Sequence, residues 1–398
     1  MNEISLEVNG VTYIRFNSIS IRKSLTSFCG SFSIVLNTYK PDATFPFKGG
    51  ERCIVRVDGT RLLTGYIEAI DIQEEGSGAI LTSILGREVT CDLLDSTLGE
   101  DILNSAQNKT LKKIIESVLA FLSIENIKVI DPYNLPSMND LVNFNVGVSG
   151  FEFIQQYANL QNVLLTTDSY GNIRFFRASD AETLDNVILD TANYRLKTIF
   201  TPEEVRVVST AQVVGTEKIG SFSSHVDLSK RYYKYVYYQQ SNVEYFESDK
   251  NANGSQVVVY DKGIRKSRVK YFNETASLTK EQIKDRALWE MKYNKTSSFF
   301  VSVVLFSFFT SVTNKLWAVG KKVIVRDKIA DINASLLISD ITYSLSASSI
   351  SVNIKLVDGE GFTLKAEKLV NNKSSNAPKL FLSNVDKVLK KEIEKVYK

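Results

Sequence analysis

A single histidine, His225, stands in 398 residues, alongside three cysteines, three methionines and six prolines. One imidazole permits neither a multi-histidine zinc site nor a two-histidine metal triad, and no G-x-S-x-G nucleophile elbow precedes it. In Ser221-Phe222-Ser223-Ser224-His225 it reads as a surface or strand-edge residue. Cys29, Cys53 and Cys91 are odd in number, far apart and without a CxxC, so they read as small hydrophobes in a reducing compartment. A Walker A sequence is missing, and Gly76, Gly78 and Gly86 do not make a G-x-G-x-x-G, which argues against nucleotide hydrolysis. Met1 to Ser5 lack a basic and apolar leader, so synthesis and folding in cytoplasm are expected. A formal charge of +3 lacks the basic excess of a dedicated nucleic-acid binder. The most apolar window, Phe299 to Val312, is broken by Ser302, Ser307, Thr310 and Ser311 and falls short of the roughly 20 residues of a spanning helix. A core strand pair, and no stable membrane insertion, is the expectation there.

What is present is β pattern. Apolar residues make up 43% and charged residues 23%, as in globular proteins, and 22 Phe with 18 Tyr favour pleated, half-buried surfaces. The length suggests roughly two to four domains. From Ile4 to about Leu94, short alternating strands are separated by Asn9-Gly10 and Asp58-Gly59, pairs that suit the positive φ of tight hairpins. This block reads as a small antiparallel barrel or sandwich. A second β block runs from about Phe299 to Phe362, with Ile350, Val352, Ile354 and Leu356 alternating against Ser351, Asn353 and Lys355. No repeat of residue identities connects the two, yet their similar size suits structural duplicates.

Between them the period changes. Leu111, Ile114, Ile115, Val118, Leu119 and Leu122 recur at helical spacing; Ser149 to Glu152 reads as a capping box before a second helix; strands are expected at Val163–Thr167 and Ile173–Arg177. An α+β module results. Strands are also expected at 204–214, 231–239, 243–246 and 256–260, and a helix opening at a Thr279–Gln282 capping box with Ile283, Ala287 and Met291 on one face. After a polar linker from Val370 to Pro378, Val385, Val388, Leu389, Ile393 and Val396 form the stripe of a terminal amphipathic helix, a candidate partner-docking element.

Two patterns invite chemistry. Arg231-Tyr232-Tyr233-Lys234-Tyr235-Val236-Tyr237-Tyr238 interleaves base and aromatic as a single-strand stacking platform does, but a two-faced strand at a packed interface is the commoner meaning. Asp92 with Asp95, or Glu74 with Glu75, could supply the two acids of a glycosidase, although turn and edge roles are commoner for such pairs. No catalytic, cofactor-binding or metal residues are assigned.

Several segments together carry a resemblance: Gly30-Ser31-Phe32-Ser33-Ile34, Gly65-Tyr66-Ile67-Glu68, Gly86-Arg87 through Asp92-Leu93 to Asp95, Arg286-Ala287-Leu288-Trp289-Glu290, Leu316-Trp317 with Gly320 through Val325, and Leu336 to Ser344. In order and approximate spacing over most of residues 4–362 they resemble baseplate hub proteins of contractile-tailed, Mu-like bacteriophages. The resemblance implies a mainly β, multidomain chain with α+β modules and two tube-type antiparallel β-barrels. It also implies a homotrimeric ring that adapts a sixfold tail tube to a threefold spike and leaves a channel for transient passage of DNA. The partners it implies are a tail tube or tube-initiator protein, a central spike protein, other baseplate proteins and the tape measure protein; the location is the virion, in the tail baseplate, after synthesis in host cytoplasm. The expected division is 1–98, first barrel; 99–200, α+β module; 201–225 with 297–368, second barrel; 226–296, mixed insertion; 369–398, linker and terminal helix. A hub with peptidoglycan hydrolase activity, or the hub of a non-phage contractile injector, is the rival reading.

Overall fold

A computed structural model of the chain describes residues 3–38, 45–74, 78–102, 108–138, 146–161, 163–191, 197–200, 205–208, 216–239, 256–274, 280–346 and 349–362. In the first β block the Asn9-Gly10 pair takes φ values of 51° and 78° and joins Ile4–Val8 to Val11–Tyr13 as a hairpin. Asp58 and Gly59, at 45° and 76°, join Arg52–Val57 to Thr60–Glu74. The alternation then places Ile4, Leu6, Val8, Cys53, Val55 and Val57 inside. Ser18–Ser24, Ser31–Thr38 and Ile80–Glu88 complete the block, in the spatial order 18–24, 31–38, 80–88, 60–74, 52–57, 4–8, 11–13.

The second block repeats this order: Ile219–Val226, Phe299–Leu305, Ile350–Val357, Ile332–Ser346, Lys322–Asp327 and Thr183–Asp190. Each block has a 15-residue strand, Thr60–Glu74 or Ile332–Ser346, that carries a bulge against its hairpin partner. The bulges fall at equivalent places, between Ile67 and Ala69 and between Ile338 and Asp340. The blocks are therefore structural duplicates over five strands. The sixth differs, because Thr183–Asp190 runs parallel to its neighbour whereas Ile4–Val8 runs antiparallel.

Two separate barrels are not what the described residues form. Ile332–Ser346 outruns Lys322–Asp327, whose pairing stops at Leu337, and from Asp340 onward its free edge pairs antiparallel with Ser18–Ser24. The two blocks thus share one 13-stranded sheet that runs open from Ile219–Val226 to Val11–Tyr13. Sharing satisfies backbone groups that a protruding strand would otherwise leave bare. A single apolar cluster, including Ile21, Ile34, Val55, Trp317, Ile341 and Leu356, lies beneath both blocks. The window from Phe299 is one core strand rather than a strand pair: beyond Leu305 the chain turns, and Phe309 bridges to Leu316.

Two smaller units flank the sheet. The helices α1, Cys91–Asp95, α2, Leu111–Phe121, and α3, Gly150–Leu160, pack with strands Val129–Ile130, Leu164–Thr167 and Ile173–Phe176 around Leu93, Ile115, Phe153 and Phe175. The Ser149 capping box forms with Glu152, and Thr110 caps α2 by accepting from the Lys113 N–H. In the other unit α4, Lys280–Ser297, lays Ile283 and Ala287 against the sheet of Gln256–Tyr260, Lys234–Gln239 and Val269–Glu274. The Thr279 cap, the strand expected at 243–246 and the segment from Val370 lie outside the described residues.

Candidate interface surfaces

The segments that carry the resemblance come together as couplings between units. Phe32 lies opposite Gly86 across the Ser31–Thr38 and Ile80–Glu88 strands, and a Cβ at Gly86 would sit 2.2 Å from the Phe32 ring. A bare backbone is required there for the ring to lie flat. A Cβ at Gly30 would sit 3.0 Å from Glu88 Oε2, and the Gly30 N–H donates to that oxygen at 2.7 Å. Glu88 is fully buried; Lys23 Nζ lies 2.7 Å from its Oε1, and the Thr167 hydroxyl donates to Oε2 at 2.8 Å. One carboxylate thus joins Ser18–Ser24, the Gly30 turn and the α+β unit. No local pattern marks Glu88 in the sequence, since a polar residue at the end of a strand reads as exposed.

Arg87 stands beside it on the outer side. Its guanidinium donates to both oxygens of Asp95 and, at 2.9 Å, to Glu68 Oε2, tying α1 to the long hairpin. The hydrogen bond from Arg87 holds the Asp95 carboxyl below its usual range, whereas burial and the charges of Glu68 and Asp95 push Asp92 upward. Of the acid pair, Asp95 is therefore committed to an ion-pair clasp with Arg87, while Leu93 between the two acids is buried in the α+β core. Glu74 is exposed near the tip of the long hairpin, and Glu75 lies outside the described residues.

In the second block Trp317 is completely buried; its backbone N–H donates to Phe308 O at 3.1 Å, and its backbone carbonyl accepts from the Tyr343 hydroxyl. Burial pushes the Tyr343 hydroxyl well above the usual tyrosine range. Leu316 packs at the edge of the same cluster. Gly320, with φ +78°, turns the chain against Phe176 and Leu25, so this motif also joins a β block to the α+β unit.

The base-and-aromatic stretch is a packed, two-faced strand. Tyr235 and Tyr237 are buried against the α4 side, with Phe272 stacked 4.4 Å from Tyr237. Arg231 is buried too, donating from Nε and Nη2 to Asp261 at 2.5 and 2.9 Å. Those three are withdrawn from any stacking platform. His225 lies exposed on the strand that ends the described sheet, as expected. Cys53 and Cys91 are buried and Cys29 partly so, all as free thiols; burial pushes Cys53 up to about 12. The proposed docking stripe Val385, Val388, Leu389, Ile393 and Val396 lies outside the described residues.

What the sequence did not reveal is the open part of each block's outline. Ala69–Glu74 pairs on one side with Ile80–Leu85, while Arg52–Val57 stops at Tyr66, so its second edge has no described neighbour. Ile72 on it is 48% exposed. At the far end of the sheet, Ile219–Val226 pairs only with Phe299–Leu305 among the described residues, and Val226 is 40% exposed. Both edges present backbone hydrogen-bonding groups that no described strand pairs with.

A duplicated β unit with a shared sheet and flanking α+β units is an arrangement that superposes on solved phage tail proteins. The 43 kDa tail protein of prophage MuSo2 from Shewanella oneidensis superposes with a TM-score of 0.75 at 23% identity, over 91% of this chain and 99% of that one. The tail protein from Neisseria meningitidis MC58 gives 0.71 at 17% identity, over 91% and 98%. Residues 3–88 match the family model described as "Mu phage baseplate assembly protein GpP-like, N-terminal". The baseplate hub protein gp44 of Escherichia phage Mu is 22% identical over 190 residues, 47% of this chain. That alignment spans about half the length of the curated relative, 49%. The chain is thus similar in part to Mu-like baseplate hub proteins, in line with the resemblance that its sequence carries.

Proposed function

We propose that this chain is a structural baseplate hub of a contractile tail: a homotrimer in which each subunit contributes two tube-type β units, so that three chains present a pseudo-sixfold ring. The ring would meet a sixfold tube or tube-initiator protein on one side and a threefold spike on the other, leaving a channel through which DNA passes. Other baseplate proteins and the tape measure protein are the further partners of this reading, and the virion is its location. The observation that carries it is the duplication itself, two blocks of matching strand order and matching bulge joined in one sheet. A chain holding two copies of one unit converts threefold into near-sixfold symmetry without a second gene product. The division at about 98, 200, 226 and 297 is part of the same proposal, except that Thr183–Asp190, which pairs with Lys322–Asp327, goes with the second block; so is the assignment of Gly30, Phe32, Gly86, Arg87, Asp92, Leu93, Asp95, Leu316, Trp317 and Gly320 to couplings within the hub.

Function then resides in surfaces. Negative-stain images and light scattering of the purified full chain test this: a threefold ring with a central hole supports it, and a monomer in the presence of its spike protein overturns it. A zymogram on peptidoglycan tests the rival. Clearing that is abolished by Asp92→Asn or Asp95→Asn would replace the structural reading with an enzymatic one.

A further inference from the structure

The seam within one chain supplies a template for the seam between chains. Inside the chain, the far half of the long strand of the second block pairs with the first strand of the first block, in the register Ile341↔Lys23, Thr342↔Arg22, Tyr343↔Ile21. Ile341 and Tyr343 are 1% exposed beneath this seam. The equivalent far half in the first block, Ala69–Glu74, has its corresponding edge open, and the equivalent first strand of the second block, Ser221–Val226, ends the described sheet.

The duplication fixes how they would meet. Ile67 opposite Gly86 and Ala69 opposite Leu85 correspond to Ile338 opposite Leu356 and Asp340 opposite Lys355. Ile70, Asp71 and Ile72 therefore stand where Ile341, Thr342 and Tyr343 stand in the other block. Across the sheet, Phe32 opposite Gly86 and Ile21 corresponds to Val301 opposite Leu356 and Ser224. Ile21, Arg22 and Lys23 are thus matched by Ser224, His225 and Val226.

Resting on the ring reading above, we propose that Ala69–Glu74 of one copy pairs antiparallel with Ser221–Val226 of the next copy, in the register Ile70↔Val226, Asp71↔His225, Ile72↔Ser224. The chemistry of the two edges agrees. Ile70 and Ile72 share a face with Val226 and would be covered as Ile341 and Tyr343 are covered inside the chain, while an acid meets an imidazole on the opposite face. The occupant is a second copy because one chain carries both edges at different positions of its own sheet, and neither reaches the other. Such a contact is head-to-tail, and it yields the proposed ring when the rotation between copies closes.

Cysteine pairs in the full-length chain test the register. Directly opposed residues have Cα atoms about 4.5 to 5.5 Å apart, within disulfide range, whereas a four-residue offset moves them by roughly 13 Å. The double variant Asp71→Cys/His225→Cys should convert most of the oxidised protein to covalent dimer and trimer on a non-reducing gel. The offset pair Asp71→Cys/Ser221→Cys should leave it monomeric, as should the parent with its own three cysteines. Ile72→Lys, which places a charge on the covered face, should lower the mass seen by light scattering to that of a monomer with the melting temperature of the monomer unchanged. An assembly in solution that gives no cross-link at Asp71/His225, or cross-links equally well in the offset pair, overturns this seam and leaves the ring reading standing. A monomer under all conditions overturns both.

Discussion

At the scale of single residues, burial determines which members of the motifs matter for stability. Trp317 is fully enclosed between Phe308, Tyr343 and the common apolar cluster, so Trp317→Ala leaves a large cavity and is expected to cost about 3–5 kcal/mol. Urea denaturation checks this; an unchanged midpoint would contradict the packing described for the indole. Asp358 gives a pH signature. Burial, followed by the charge of Glu360, raises its carboxyl above the ordinary value of 3.8, so the folded chain retains a proton that the unfolded chain has released. Stability from this group is fully present below that ordinary value, falls as pH rises through the window up to the raised one, and is level beyond. Asp358→Asn keeps an acceptor for the Glu360 N–H, bonded at 3.1 Å, and removes the charge. Its melting temperature should exceed that of the parent by a margin that opens as pH rises past the ordinary aspartate value and then holds; a constant margin would assign the effect to something other than titration.

At the scale of elements, the turns, helices and capping box were legible because each is written within a few residues: Asn9-Gly10 needs positive φ, and Leu111 to Leu119 repeat at the period of a helix. The junction of the blocks was not legible. Pairing of Ser18–Ser24 with 340–346 joins residues some three hundred positions apart, and alternation specifies the buried face of a strand but not the neighbour on its edge. The coupling carboxylate was hidden for a related reason, since Glu88 becomes an interior residue only when Lys23, Gly30 and Thr167 converge on it. That convergence sets an asymmetric expectation. Lys23→Met leaves Glu88 buried without its cation and should cost about 3–5 kcal/mol, whereas Lys23→Met/Glu88→Gln should recover a large part of the loss. A double-mutant cycle on denaturation midpoints measures it, and additive losses would show that the pair is not coupled.

At the scale of the whole molecule, the resemblance anticipated two units of one kind, and the shared sheet explains why they need not be independent barrels: the edge that each block leaves open is the edge that another block can fill. Inside the chain that requirement is met once, between residues 340–346 and 18–24, which leaves one donor and one acceptor edge for the neighbouring chains. The proposed seam itself uses no residue beyond Val357. A lone helix of about twenty residues is marginal in water, so the stripe of Val385, Val388, Leu389, Ile393 and Val396 calls for a surface to bury it. We propose that this surface belongs to a neighbouring baseplate component or an adjacent subunit, reached through the polar linker that begins at Val370. Deleting residues from Leu380 onward should leave the oligomer mass unchanged by light scattering and weaken co-purification with one baseplate partner. Pull-downs with every partner unaffected by the deletion would remove the docking role, and loss of the oligomer itself would move the stripe from an outer attachment to the ring.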